Sequence, residues 1–417
     1  MRLQCVAERC GPDAGRGGGA PAACRGDPDP VGDGERAAGV MYFDNAATTY
    51  PKPAAVHRAV AEALVRFGGN PGRGGHPLSM GAAEEIWRCR ETAAALFGLS
   101  FPERVIFTLN CTMSLNMVLK GLLRRGGHVL VSDMEHNAVM RPLEGMSRSG
   151  FPAYVVVPTV PGEEAATAAA FERRITAATR AIVCTHCTNV FGVALPIRRI
   201  GEVAARHGLP FVVDAAQSAG VLPLDMAADG IDFLCMPGHK GLYGPMGTGL
   251  LLCSGRYALP PFVEGGTGSS SLSLRQPEEL PERLESGTPN VAGICGLRAG
   301  MEWVRQQTVE RIAAHECREL RSVYGTLSHN PRIRLYAPCP QAGLSAPVLS
   351  FTRQGEDPET TAERLNALGV AVRAGLHCAP AAHRKLGTLP AGTVRLSPSA
   401  FTAPQDTQRL CRILSCL

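Results

Sequence analysis

From Met41 onward, short apolar runs alternate with amphipathic stretches, and this alternation constrains the fold more than any other feature of the chain. The runs cover 104–108, 128–132, 153–157, 181–185, 210–214, 232–236 and 248–253. Each is too short for a typical helix and suits a buried strand. Helical stretches at 53–67, 82–97, 112–123 and 196–207 fill gaps between them, and Gly208 follows the last of these in the usual helix-terminating position. Strand followed by helix, repeated, predicts an α/β domain whose mostly parallel sheet is covered by helices.

The pattern changes near residue 296. Helical stretches at 297–307 and 310–328 lead into strand-like 348–352, a helix over 358–368, and strand-like 370–373 and 393–396. We therefore expect a large domain at 41–295 and a smaller C-terminal α+β domain at 296–417. Residues 1–40 stand apart: dense in Gly, Ala, Pro, Arg and Asp, they have no sustained period and no apolar h-region of a secretory signal. A disordered extension, or a start assigned too far upstream, is the expectation there.

Composition narrows the function classes. Hydrophobic and charged fractions of 45% and 19% are those of a soluble globular protein. A net charge of +5 over 417 residues argues against a dedicated nucleic-acid binder. No apolar stretch approaches the roughly 18 residues that span a bilayer. Fifteen cysteines in so long and core-rich a chain do not read as a disulfide framework. Cys184, Cys235 and Cys253 fall inside apolar runs, where cysteine is a small buried hydrophobe, and a reducing cytoplasm is the expected setting.

Two segments carry chemistry together. Phe211-Val212-Val213-Asp214 ends a strand in a carboxylate, on the side of an open α/β sheet where ligands bind. Met236-Pro237-Gly238-His239-Lys240-Gly241 sets a lone lysine in a Gly-rich turn after another apolar run. Alone, a strand-end aspartate is usually a cap and a turn lysine is usually solvated. As a pair they match what pyridoxal phosphate requires: an amine to form an imine, and a carboxylate to keep the pyridine nitrogen protonated. Phe107-Thr108-Leu109-Asn110-Cys111-Thr112 ends one strand and opens a helix, whose N-terminus suits a phosphate. Thr112 there is either a helix N-cap or a hydroxyl contact to that anion. No metal is expected. Cys184-x-x-Cys187 has ligand spacing but no second pair, and a Cys378/His377/His383 cluster is the poorer reading of its segment. Gly244–Gly249 superficially resembles a GxGxxG loop, but its glycines are spaced GxxGxG and it precedes a strand, so a dinucleotide loop is excluded by context.

Asp214-Ala215-Ala216-Gln217 together with Gly238-His239-Lys240-Gly241-Leu242-Tyr243-Gly244-Pro245 resembles the class V aminotransferase superfamily. Val372-Arg373-Ala374-Gly375-Leu376-His377-Cys378-Ala379-Pro380 resembles the cysteine desulfurases within it, in the group with a short active-site loop that includes selenocysteine lyases. The resemblance runs from about Met41 to the C-terminus. It implies the pyridoxal phosphate-dependent transferase fold type I, with a seven-stranded, mostly parallel sheet in the large domain. It also implies roles. Lys240 would hold the cofactor and act as base. Cys111, Thr112 and His239 would lie at its phosphate, and Gln217 and Asn189 at its phenolic oxygen, with Asn189 also near substrate. His136 would stack on its ring and assist proton transfer. Thr288, in Glu285-Ser286-Gly287-Thr288-Pro289-Asn290, would reach the phosphate of a partner subunit, making the unit a homodimer. Arg395 would clamp the substrate carboxylate beside Arg373. Cys378 would accept sulfur, with Arg373 and His377 favouring its thiolate. One departure is Pro237, where many relatives carry a phosphate-binding serine.

The activity so implied is conversion of L-cysteine to L-alanine, with sulfur left as a persulfide on Cys378 and then passed to an unidentified acceptor protein, as in iron–sulfur cluster assembly. Selenocysteine or cystine lyase is the close alternative. An aminotransferase or epimerase would not use Cys378. A cofactor-binding relay protein without turnover is the alternative from outside catalysis.

Overall fold

The computed structural model describes residues 39–72, 74–148 and 153–417. Its strands are β1 (Met41–Tyr42), β2 (Val105–Thr108), β3 (His128–Ser132), β4 (Tyr154–Val157), β5 (Thr179–Thr185) and β6 (Phe211–Asp214). They continue as β7 (Phe233–Pro237), β8 (Gly249–Cys253), β9 (Ile333–Leu335), β10 (Leu349–Arg353), β11 (Val370–Ala371) and β12 (Val394–Leu396). All seven apolar runs are strands of one sheet, in the order β2-β8-β7-β6-β5-β3-β4. Only β8 opposes the rest, pairing antiparallel with both β2 and β7. β3, β6, β7 and β8 are buried at every residue, as expected of strands covered on both faces. Phe211 of β6, Phe233 of β7 and the helical Phe171 are 0–1% exposed, each contributing about 1.5–3 kcal/mol relative to leaving it in water.

Register decides where the site lies. Asp214, the last residue of β6, sits opposite Thr185 at the end of β5 and Cys235 of β7. The carboxyl ends of these three parallel strands therefore open onto one edge of the sheet, and the loops that follow them converge there.

Helix bounds refine the sequence reading. The helix expected at 82–97 spans Pro77–Leu96, with Pro77 in the first turn and the His76 side chain accepting from the Ser79 N–H. The helix expected at 112–123 is Cys111–Leu122, and its N-cap is Asn110, whose Oδ1 accepts from the Met113 N–H at 2.9 Å. Thr112 is thus not the cap, because Asn110 is extended at the boundary and reaches the amide first. The helix Ile197–Arg206 ends before Gly208, which has φ +63°. Helices at Asn137–Ser147, Glu164–Glu172, Pro380–Lys385 and Pro404–Leu414, and the short β9, add to those expected.

A three-stranded antiparallel sheet, β12-β10-β9, forms a second layer beside Val309–Ser328 and Pro404–Leu414. Its apolar cluster includes Leu320, Leu349, Phe351, Leu365, Val394, Leu396 and Leu410, and also Met41 and Phe43. The first described strand is therefore built into the C-terminal layer: β1 pairs in parallel with β11, and the Ser397 N–H donates to Phe43 O. The helix Val291–Gln307 runs continuously through residue 296. The extension expected over 1–40 lies, apart from Gly39 and Val40, outside the described residues. No helix among the described residues is long and apolar enough to cross a membrane.

Candidate active site

The loops after β2, β3, β5, β6 and β7 enclose one cavity. Cys111, Thr112, His136, Asn189, Asp214, Gln217, His239 and Lys240 all line it, with Thr185, Cys187 and Pro237. The turns that carry Asp214 and Lys240 touch backbone to backbone. A Cβ on Gly220 (φ +77°) would overlap the Gly241 carbonyl oxygen, and one on Gly241 would overlap the Ala219 carbonyl oxygen. Glycine at both positions is what lets the carboxylate and the amine share a cavity.

Asp214 is 2% exposed. Its Oδ1 accepts from the Ala216 N–H at 2.9 Å and from the Cys111 thiol at 3.5 Å, so both contacts fall on one oxygen and Oδ2 is left toward the cavity. Burial, and then the charge of Arg395, push the Lys240 amine down to about 8, while Asp214 opposes the shift. A substantial neutral fraction is therefore present near neutral pH, as a nucleophilic or basic lysine requires. His136 caps the helix Asn137–Ser147, its Nδ1 accepting from the Ala138 N–H at 3.0 Å, which places the ring proton on Nε2. Burial pushes its pKa down to about 4, so the ring is neutral at pH 7. His239 is held neutral in the same way, also near 4, by burial and then by the charges of Lys240 and Lys52.

Arg395, whose charge acts on Lys240, is 1% exposed. Its Nη2 donates to Asp44 Oδ1 at 2.7 Å and its Nη1 to the Asn189 carbonyl at 3.0 Å, while Nε has no partner. Two of its five N–H donors are committed and three are not, and the residue itself is not among those lining the cavity. Arg373 pairs with Arg395 across an isolated antiparallel bridge, is exposed, and makes no side-chain hydrogen bond among the described residues. Gln217 Nε2 donates to Ala46 O at 2.9 Å.

Cys378 is an exposed thiol on the segment between β11 and the helix Pro380–Lys385. Its neighbour His377 corrects one expectation. His377 is 3% exposed, Nε2 donates to Thr393 O at 3.1 Å, and burial followed by the charge of Arg395 pushes its pKa down to about 2. It is a neutral ring and supplies no positive charge to the thiol; of the two residues expected to do so, only Arg373 is a cation. Cys184 and Cys187 are buried, their thiols donating to Thr185 O and Gly192 O.

Thr288 does not join this cavity. It lines a separate cleft with Trp87, Phe107 and Glu285, and its hydroxyl accepts from Asn70 Nδ2 at 3.3 Å. The loop is anchored at its start: Glu285 receives a two-pronged ion pair from the buried Arg90, at 2.7 and 2.8 Å, and the Phe107 N–H at 2.7 Å.

With this geometry in view, the relatives can be placed. A family model described as aminotransferase class-V matches residues 41–410. The chain belongs to that family. It is 33% identical to a probable cysteine desulfurase of Methanothermobacter thermautotrophicus over 89% of this chain and 92% of that protein. Its fold matches the cysteine desulfurase of Thermococcus onnurineus with a TM-score of 0.83 at 29% identity, covering 90% of this chain and 94% of the other. The Escherichia coli cysteine desulfurase CsdA gives 0.80 at 27% identity, covering 91% and 94%. As a class V protein of this group it is a pyridoxal phosphate-dependent enzyme with the fold type I architecture.

The class V cavity has the polar groups this cofactor needs. The buried His239 Nδ1 has no protein partner, Cys111 and Thr112 at the start of their helix line the cavity, and Asp214 presents one oxygen beyond its internal contacts. Pro237 lines the same wall without a hydroxyl or an N–H. Sequence reasoning missed Asp44, the charge partner of Arg395, and Asn137, whose N–H donates to Cys378 O at 2.8 Å. Asp44 stands in the opening Phe43-Asp44-Asn45 segment, but no local signal connects it to an arginine 351 positions away.

Proposed function

We propose that this enzyme is an L-cysteine desulfurase that leaves the substrate sulfur as a persulfide on Cys378 and releases L-alanine. The observation that carries the reading is the placement of the Cys378 thiol: exposed, yet with its carbonyl bonded to the Asn137 N–H, directly after the cavity-lining His136. A reactive sulfur at the rim of a lysine-and-aspartate cavity suits attack on a substrate sulfur and has no use in transamination.

When bound, pyridoxal phosphate supplies an electron sink for the substrate Cα. Asp214 would hold its ring nitrogen charged, while Thr112, Cys111 and His239 would hold its phosphate. Gln217 and Asn189 would serve its phenolic oxygen, and His136, a neutral imidazole, would assist at its ring. Lys240, whose pKa burial pushes down to about 8, takes the Cα proton in its neutral form. Arg395, through its uncommitted donors, and Arg373 bind the substrate carboxylate. The Cys378 sulfur then bonds to the substrate sulfur as the Cβ–S bond breaks. The electron pair of that bond passes to Cβ, which takes up a proton equivalent to the one the thiol gave up and becomes the methyl group, and Lys240 returns the proton to Cα to give alanine. An acceptor protein collects the persulfide sulfur. We further propose a homodimer in which Thr288 completes the partner's phosphate site, a division into large (41–295) and small (296–417) domains, and a cytoplasmic setting.

The test is incubation of holoenzyme with L-cysteine, measuring alanine and the mass of the Cys378 peptide, for wild type and Cys378→Ser. Wild type should gain one sulfur on that peptide, and the serine variant should keep the cofactor absorption while alanine release falls by orders of magnitude. Alanine release by Cys378→Ser at the wild-type rate would refute the desulfurase mechanism.

A further inference from the structure

His377 and Cys378 are consecutive non-glycine residues in the left-handed region, with φ of 46° and 58°. Side-chain-bearing residues adopt that conformation rarely, so contacts from outside the segment have to hold it. Three do. The Asn137 N–H donates to Cys378 O at 2.8 Å, His377 Nε2 donates to Thr393 O at 3.1 Å, and Asn189 Nδ2 donates to His377 O at 2.7 Å. The last reaches the Arg395 side chain. The carbonyl of the same Asn189 accepts from Arg395 Nη1 at 3.0 Å, giving an unbroken path from guanidinium to asparagine to the peptide that precedes the thiol.

We propose that Asn189 is a positioning residue that couples occupancy of Arg395 to the arch carrying Cys378. A substrate carboxylate drawn onto the guanidinium resets its bond to the Asn189 carbonyl. Because the donor amide belongs to the same residue, the shift is delivered to His377 O and steadies the arch. The thiol is thereby held in its working position when substrate is present. An asparagine amide carries two N–H donors, so one remains for the cofactor oxygen and this role adds to that contact. The proposal rests on the reading of Arg395 as carboxylate site and Cys378 as nucleophile.

The test uses holoenzyme and L-alanine, an amino-acid carboxylate with no sulfur to lose. Two readouts are taken with and without it: amide hydrogen exchange of the peptide spanning 375–380, and the rate at which iodoacetamide labels Cys378, located by peptide mass. In wild type, L-alanine should slow both by about threefold or more. In Asn189→Ala, exchange of the arch without ligand should be about fivefold faster or more, as for a locally opened segment, and L-alanine, added at the concentration that spectral titration shows to saturate the variant, should slow neither readout. Asn189→Asp keeps the size, lacks the donor, and should behave like alanine; it serves if Asn189→Ala folds poorly. An arch in these variants that exchanges as in wild type, or that keeps the full effect of L-alanine, overturns the proposal, since steric shielding by ligand would survive loss of the amide. Neither readout involves desulfuration. Failure of the Cys378→Ser assay would sink the functional reading and leave this coupling measurable on its own.

Discussion

Replacing Asp44 by Asn should destabilise the fold and at the same time strengthen binding of a ligand carboxylate. Arg395 is 1% exposed and its salt bridge to Asp44 Oδ1 is 2.7 Å long, with the Asp44 side chain 20% exposed. At an effective dielectric of about 20, two charges at that separation attract by about 6 kcal/mol before costs are counted. Asparagine keeps the shape and a neutral acceptor but leaves the guanidinium without a counter-charge. Breaking one side of a buried pair costs about 3–5 kcal/mol, and the retained hydrogen bond puts the expected loss near the lower figure. The measurement is a double-mutant cycle of Asp44→Asn, Arg395→Met and the double variant, followed by urea unfolding of the apoprotein. A coupling energy below about 0.5 kcal/mol would refute the reasoning, because that is the range of an exposed surface pair. The binding arm has the opposite sign. Asp44 competes with a ligand for the charge of Arg395, so Asp44→Asn holoenzyme should bind L-alanine more tightly, whereas Arg395→Lys, which loses the planar fork, should bind it more weakly. Weaker binding by Asp44→Asn would count equally against the argument.

The Lys240 amine, pushed down to about 8 by burial and Arg395, sets a pH dependence: uptake of pyridoxal phosphate by the apoprotein, followed by absorbance, should rise with pH and level off above about 8. A rise continuing toward pH 10 would indicate an ordinary lysine. Glu135 is fully buried, accepts from the Ser132 hydroxyl and the Thr185 N–H, and is pushed up to about 8 by burial. Its folded pKa is raised, so its contribution to stability is complete at acid pH and is lost as pH rises toward 8. Glu135→Gln should remove that loss, giving a flatter thermal midpoint from pH 5 to 8; parallel curves for the two proteins would contradict it. Mixed dimers of Lys240→Ala and Thr288→Ala chains should recover activity above either parent, because one composite site is then intact. Verified heterodimers with no recovery would exclude a site shared between subunits.

The strands, most helices and the pairing of Asp214 with Lys240 were legible in the sequence because they are written locally. An apolar run bounded by glycine or polar residues is a strand wherever it lands, and a carboxylate after one run or a lysine in a Gly-rich turn after another keeps its place in the loop. Finer boundaries were already less local: Thr112 reads as a cap in the sequence, and only backbone geometry awarded the bond to Asn110. What tertiary structure decided concerns distance and burial. It put β8 antiparallel between β2 and β7, and threaded Met41 and Phe43 into the C-terminal cluster. It joined Asp44 to Arg395 and Asn189 to His377, residues with no relation along the chain. The change at His377 was chemical as well as spatial. Beside Cys378 in sequence, a histidine reads as a charge that could stabilise a thiolate, yet in the fold it is an uncharged ring bonded to Thr393 O. Residue order determines which groups are near the thiol along the chain, but protonation depends on how much water and which charges surround a ring, and those are set only when distant segments pack.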